Sequence, residues 1–346
     1  MSRLSRRPER PPPPDPQVAT IAAYPSGLAW SPRGDLLAVA GDHGHIELID
    51  PATCAVRRRI FAHDGPVQSM AWQPQRDALV TTGQDGAARL WESPFDTARE
   101  LIAPGASWAD HACWSPTGDR AAVALGTRAH VLSADGVTAV TEPVPSTIAG
   151  LAFTPSGKSL GAACYGGVQL FDPATGRPTR KLEWKGSTLS IAFAPDGSTV
   201  ACGCQDNSVH FWRIASGKDA QMCGYPAKPR DIAFSHDGRW LVTGGDVTIC
   251  LWPFDRRGPE GRTPVQLKGH QDLVTALACA PLVEMLLSGA RDGTVALWAP
   301  PKLTAPLAVS RLTGKVTHVA WGTDLAAQLL RWAASDEHGR VLIGQL

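Results

Sequence analysis

The 346-residue chain has almost no charge imbalance: 33 Lys and Arg stand against 32 Asp and Glu, a net charge of +1. That parity removes a strongly basic nucleic-acid binder as the default, since phosphate affinity comes from excess positive charge. There is no run of about 18 apolar residues, so no membrane span is expected. The N-terminus MSRLSRRPERPPPPDPQ carries an arginine pair, Arg6 and Arg7, but no apolar stretch follows it. A secretory or twin-arginine signal is therefore not expected, and a cytoplasmic protein is. Also missing are a Gly-x-Ser-x-Gly nucleophile elbow, a Gly-Lys phosphate loop and a His-Glu-x-x-His zinc helix, so no enzyme is expected.

The chain is rich instead in turn formers and indoles, with Gly 34, Pro 29, Trp 12 and an apolar fraction of 43%. Frequent punctuation of apolar segments points to many short strands. A small residue, an aromatic and a Pro/Gly turn recur: AWSPRG, AWQPQR, CWSPTG, AFTPSG, AFAPDG and AFSHDG, with ACAPLV and AWGTDL as looser copies. These begin at Ala29, Ala71, Cys113, Ala152, Ala192, Ala233, Ala278 and Ala320, 39 to 45 residues apart. A period near 40–45 residues matches one four-stranded propeller blade. Each unit then adds a second strand, such as ALVTTG or TVACGC, a tight turn such as QDG, QDN or RDG, and a third strand. Four of the third strands end on Trp91, Trp212, Trp252 and Trp298.

These units resemble the WD-repeat β-propeller family, as a bacterial-type member, from Val18 onward. The strongest unit, residues 267–298, carries Gly269, His270, Ser288, Asp292 and Trp298 where the family has its Gly-His pair, strand Ser, turn Asp and terminal Trp. The resemblance implies a hydrogen-bonded chain through His270, Ser288, Asp292 and Trp298. A second unit nearly matches with His63, Thr81, Asp85 and Trp91, and a third keeps only Asp206 and Trp212. The Trp-Asp pair that names the family is missing: Trp91 precedes Glu92 and Trp298 precedes Ala299. The unit at 111–146 is the weakest match.

The fold expected is all-β: a closed propeller of eight four-stranded blades, with seven as the alternative. The last unit supplies three strands, and VATIAAY (18–24) is expected to close the ring as its fourth. Residues 1–16 are expected to be a disordered Pro/Arg-rich tail and 17–346 a single propeller. A short helical turn is expected at 324–330.

The resemblance implies a non-enzymatic scaffold that docks other proteins where the second-to-third strand turns emerge. Those turns place Asp42, Gln84, Tyr165, Gln205, Arg291 and Glu337 on one face, with Asp42 and Glu337 as an acidic sector. The partners expected are proteins, with neither nucleic acid nor membrane, and no cofactor. Arg57, Arg58 and Arg59 lie on an alternating strand and read as a solvated outer edge. The alternative is a Cys-based zinc or copper protein. Cys202 and Cys204 lie two apart on one strand face, and Cys164 matches Cys204 one blade earlier. Against it, cysteines in a strand also serve as small apolar residues. A propeller enzyme with a channel active site is the other alternative.

Overall fold

A computed structural model describes residues 14–255, 258–324 and 326–346, so most of the expected tail lies outside the described residues. Eight antiparallel sheets succeed one another around a ring, one per repeat. Blade 2 is representative: Val67–Trp72, Ala78–Gly83, Ala88–Glu92 and Ala98–Ile102 pair in that order from the channel outward. Its second strand is buried at every residue, while its outer strand is largely exposed. Both faces of the second strand pack against neighbouring blades, so the sequence shows a continuous run of Ala, Leu, Val and Thr, not an alternation. The weakest repeat still makes a full blade, Ala109–Trp114, Ala121–Leu125, Arg128–Ser133 and Gly136–Val140.

The glycine that ends five of the repeat motifs has a conformational cause. Gly34, Gly118, Gly157, Gly197 and Gly238 all sit at φ between 68 and 70°. Each closes the first-to-second strand turn by donating its N–H to the carbonyl three residues earlier, as Gly34 does to Ser31 at 2.9 Å. Only glycine takes that left-handed conformation without a steric cost. In blade 4 the second and third strands run together as Leu160–Phe171, whose first half pairs with Gly150–Phe153 and second half with Pro178–Ser187. Gly166 and Gly167, at φ 93 and 111°, occupy the turn between the halves.

The repeated small–aromatic pair joins blades. Trp30 donates its indole N–H to Ala320 O at 3.3 Å, Trp72 to Ala29 O at 3.1 Å, Trp114 to Ala71 O at 2.9 Å and Trp321 to Ala278 O at 2.8 Å. Each acceptor is the small residue of the preceding blade, so the aromatic of one repeat is pinned to the first residue of the last. Blades 4, 5 and 6 have Phe153, Phe193 and Phe234 there, which fill the same space without a donor. Blade 7 has Cys279, whose thiol faces Ala233 O at 3.9 Å.

The N-terminal strand closes the ring. Gln17–Thr20 pairs antiparallel with Arg340–Gln345, completing the blade built from Val316–Asp324 and Leu329–Asp336. The strand is shorter than the 18–24 expected: Ile21 N still donates to Gly339 O at 2.8 Å in the same register, but the chain bends at Ala22 and Ala23. The helical turn expected at 324–330 is instead part of a hairpin: strands run to Asp324 and resume at Leu329. Asp324 Oδ1 there accepts the N–H of Ala327. No helix occurs among the described residues, hence none long and apolar enough to cross a membrane.

Ala19 and Ile21 are buried against Leu37, Ile49 and Ile343 across the seam between blades 8 and 1. Removing residues 1–24 takes away that packing and the outer strand. The expected outcome, read by circular dichroism, is a melting temperature at least about 5 °C lower, since each kcal/mol lost shifts a chain of this size by a few degrees.

Candidate functional site

The second-to-third strand turns occupy equivalent places around the ring. Asp42, Gln84, Arg291 and Glu337 each donate a backbone N–H to the loop entering their own blade, at Tyr24 O, Pro66 O, Leu273 O and Lys315 O, and Gln205 donates to Ser187 O at the end of blade 4's outer strand. Tyr165 N donates to Ser146 Oγ at 2.9 Å in the same manner. One face therefore carries all six, on backbone tied down by hydrogen bonds. Tyr165, Gln205, Arg291 and Glu337 are exposed, Asp42 and Gln84 half-buried. Asp42 and Glu337 each engage one carboxylate oxygen locally: Asp42 Oδ1 accepts the N–H of Tyr24 at 3.2 Å, and Glu337 Oε1 that of Lys315 at 3.1 Å.

Beneath that face, blades 2 and 7 carry the side-chain chains, but not with the relative completeness their sequences suggest. In blade 2 His63 Nδ1 lies 2.9 Å from Asp85 Oδ1, and His63 Nε2 2.9 Å from Thr81 Oγ1. Trp91 Nε1 donates to the same hydroxyl at 3.1 Å. Thr81 Oγ1 thus joins the imidazole to the indole, and the Arg89 guanidinium also approaches His63 Nδ1, at 2.9 Å. Arg89 braces the carboxylate at 2.8 Å. Burial alone would raise the Asp85 carboxyl, but bonds from Arg89, the Ala87 N–H and His63 hold it at about 2.

In blade 7 the chain stops at the histidine. His270 Nε2 meets Ser288 Oγ at 2.7 Å, and Trp298 Nε1 donates to that oxygen at 2.8 Å. Asp292 accepts the Thr294 N–H at 2.9 Å, as Asp85 accepts that of Ala87, but no bond joins it to His270, whose Nδ1 is buried without a partner. The unit closest to the family's sequence thus has the less complete chain.

Blade 6 holds a version that the sequence reading missed. Tyr225 OH lies 2.9 Å from Thr243 Oγ1, and Trp252 Nε1 donates to the phenol oxygen at 2.7 Å. Tyr225 precedes Thr243 by 18 residues, the same step as His63 to Thr81 and His270 to Ser288. That spacing was the available signal.

The same step explains the cysteines. In blade 5 it leads from Trp184 to Cys202, with Trp212 on the third strand, so Cys202 stands where the hydroxyl stands elsewhere. Cys202 and Cys204 pack with Trp212, Val168 and Leu170 in one apolar cluster, and Cys164 in the adjacent one. Burial pushes all three thiols up, Cys204 to about 11, so in the absence of a metal they are protonated and unreactive. Among the described residues no group of three His, Cys, Asp or Glu is placed to hold a metal ion. Without its hydroxyl acceptor, Trp212 Nε1 donates to Glu183 O at 3.1 Å.

The arginine run is neutralised on the outer strand Val56–Phe61. Arg57 pairs with Asp50 at 2.7 Å, Arg59 with Glu47 at 2.6 Å and Arg58 with Asp96. A depression of about 660 Å³ opens on the turn-bearing face across blades 5 to 1. Arg291, Lys228, Arg230, Lys315, Asp231 and His318 line it.

Family models fit this geometry. The WD domain, G-beta repeat model matches residues 176–213, 222–253 and 261–299. Each match begins at or near the outer strand of one blade and runs to the third strand of the next, ending at or within a residue of Trp212, Trp252 and Trp298. The chain belongs to the WD-repeat β-propeller family. A second model, the anaphase-promoting complex subunit 4 WD40 domain, matches residues 25–75 of this propeller. The chain is similar to telomerase protein component 1 of Mus musculus, 24% identical over 284 residues covering 81% of this chain and 9% of that protein. It is also similar to nuclear distribution protein PAC1 of Arthroderma otae, 27% identical over 179 residues covering 42% of this chain and 38% of that protein. The WD-repeat chain thus spans well under half the length of each. The crystal structure of the computationally designed Ika8 protein superposes with a TM-score of 0.78 at 19% identity, over 94% of this chain and 98% of that one.

The blade chains make unequal demands. Asp85→Asn places an amide among four donors and leaves Arg89 undercompensated; the expected loss is about 2–4 kcal/mol in a urea melt. Asp292→Asn keeps an oxygen for Thr294 and is expected to lose under about 1 kcal/mol.

Acid acts through the histidines. Burial lowers His63, His111, His130, His210 and His270, and lowers His318 to about 4. Below the unfolded value of about 6.5 the open chain binds protons that the native state refuses, so stability is full above 6.5 and falls as pH drops toward the folded values. Asp231, raised to about 6 by burial, and Asp110, also raised by burial, work in the opposite direction but are two groups against six. The urea midpoint is expected to fall between pH 7.5 and 5, with His318 supplying up to about 2 kcal/mol, and His318→Leu to flatten the fall.

Proposed function

We propose that the protein is a non-enzymatic, cytoplasmic interaction scaffold that docks other proteins on the face bearing the second-to-third strand turns. Residues 17–346 form the binding unit and residues 1–16 lead into it. One observation carries the reading: the turns at Asp42, Gln84, Tyr165, Gln205, Arg291 and Glu337 are fixed by hydrogen bonds from their backbone N–H groups, which makes a broad rigid platform. A pre-ordered surface loses little conformational entropy on binding. Tyr165 and Arg291 project from it, and these residue types are frequent interface anchors. Among the described residues the depression's acid and base, Asp231 and His318, make no side-chain hydrogen bond to each other, which favours binding over catalysis.

Affinity capture from native lysate with the wild type and with Tyr165→Ala/Arg291→Glu tests the face. A reproducible partner set lost in the double variant is the expected outcome. Identical partner sets from two proteins of equal melting temperature would overturn it.

A further inference from the structure

Most arginines among the described residues pair with carboxylates, yet four cations converge on the depression and pair with none. Lys228 and Arg230 stand on the loop entering blade 6, Arg291 on the turn of blade 7 and Lys315 on the loop entering blade 8. Among the described residues none of the four makes a salt bridge or a side-chain hydrogen bond. Asp231 is the one carboxylate in the wall, beneath Arg230 and largely buried. Four cations against one acid leave this hollow positive in a chain that is otherwise balanced. A concave site with low-dielectric walls focuses such a field.

The loops that carry the charges are already ordered. Ala227 N donates to Gly245 O at 2.9 Å, Arg230 N to Lys228 O at 2.9 Å and Arg291 N to Leu273 O at 2.9 Å. Gly245 sits at φ 96°, and a Cβ there would lie 2.8 Å from Ala227 O, so the loop and the blade turn are fitted closely together. On the wall, His318 keeps a buried Nδ1 without a partner, and Tyr24, 43% exposed, supplies an aromatic edge.

We propose that this hollow over blades 5 to 8 receives a short acidic peptide segment of a partner protein, its carboxylates held by Lys228, Arg230, Arg291 and Lys315. The volume suits a few residues of extended chain. A long polyanion fits less well. Asp206, Asp246 and Glu337 stand beside the wall residues Asn207, Gly245 and Lys315, so the positive region is a pocket, whereas nucleic acid is tracked by a basic stripe. The inference rests on the scaffold reading and names the chemistry of what that face takes.

Fluorescence anisotropy of the full chain with a fluorescein-labelled glutamate–glycine repeat peptide tests it. The glutamine–glycine counterpart and single-stranded oligothymidylate serve as comparisons. The glutamate peptide is expected to bind at least about tenfold more tightly than either, and to weaken as salt rises. Lys228→Glu/Arg230→Glu/Lys315→Glu is expected to weaken it at least about tenfold at an unchanged melting temperature. Should that variant melt low, Arg230→Gln and Lys315→Gln singly are each expected to weaken binding about threefold or more. Equal affinity for the two peptides, undiminished binding by the folded variants, or equal affinity for oligothymidylate would overturn the proposal. Partner capture that survives the charge reversal would remove this inference and leave the scaffold reading intact.

Discussion

Everything in this molecule depends on the pairing of Gln17–Thr20 with Arg340–Gln345. A blade has two faces to bury and cannot bury both unless it has a neighbour on each side. An open stack of eight would leave the outward faces of its first and last blades wet. Closure removes both, and it requires the two ends of the chain to share one sheet. The sequence repeat is accordingly offset from the structural blade by one strand: each repeat carries the outer strand of one blade and the inner three of the next. Ala19 and Ile21 then complete a core that would otherwise stop at Leu37 and Ile49.

Within each blade one three-position site decides how the sheet is held. The step of 18 residues and then about 10 selects His63, Thr81 and Trp91 in blade 2 and His270, Ser288 and Trp298 in blade 7. In blade 1 the same step selects Ile21, Val39 and Ile49, which pack in one apolar cluster. Blade 4 has Val144, Ala162 and Phe171 there, again in one cluster. A satisfied polar chain and an apolar plug are both stable; a half-satisfied chain is not, because each buried polar atom without a partner carries its full desolvation cost. Blade 5 mixes the two: Cys202 stands where the hydroxyl stands elsewhere, and the Trp184 indole N–H is buried and unpartnered. The cysteines there pack as small apolar side chains.

The fold was legible because its signals repeat. One Ala-Trp-Ser-Pro-x-Gly motif proves little, whereas eight in phase fix both the period and the closure, and the glycines recur because one turn demands a positive φ. The blade chains were less legible. Residue types at Gly269, His270, Ser288, Asp292 and Trp298 matched the family's pattern, yet Asp292 holds only the Thr294 N–H, whereas Asp85 holds both the Ala87 N–H and His63. Tyr225 escaped notice because a phenol replaced the imidazole, although its spacing was unchanged. The basic hollow was invisible for another reason: Lys228, Arg291 and Lys315 come from three repeats, and only the ring brings them together. At Asp42 and Glu337, expected as an acidic sector, one oxygen of each carboxylate accepts a backbone N–H, which fixes the side chain on its own turn.

The inter-blade bonds divide the ring unevenly, and the division bears on where binding takes place. Indole-to-carbonyl bonds run from blade 7 through 8, 1 and 2 to blade 3, so the junction of the chain ends lies in the middle of the cross-linked arc. Blades 4 to 6 rely on Phe153, Phe193 and Phe234, whose contacts are non-directional. A dispersion contact tolerates small sliding better than a hydrogen bond, which weakens steeply with angle. Adjustment of one blade against the next therefore costs least in the phenylalanine arc and most at the seam. The hollow straddles this boundary: Lys228 and Arg230 enter blade 6 on the compliant side, while Lys315 enters blade 8 on the pinned side. A ligand held between them couples the two arcs without loading the closure on which the ring depends.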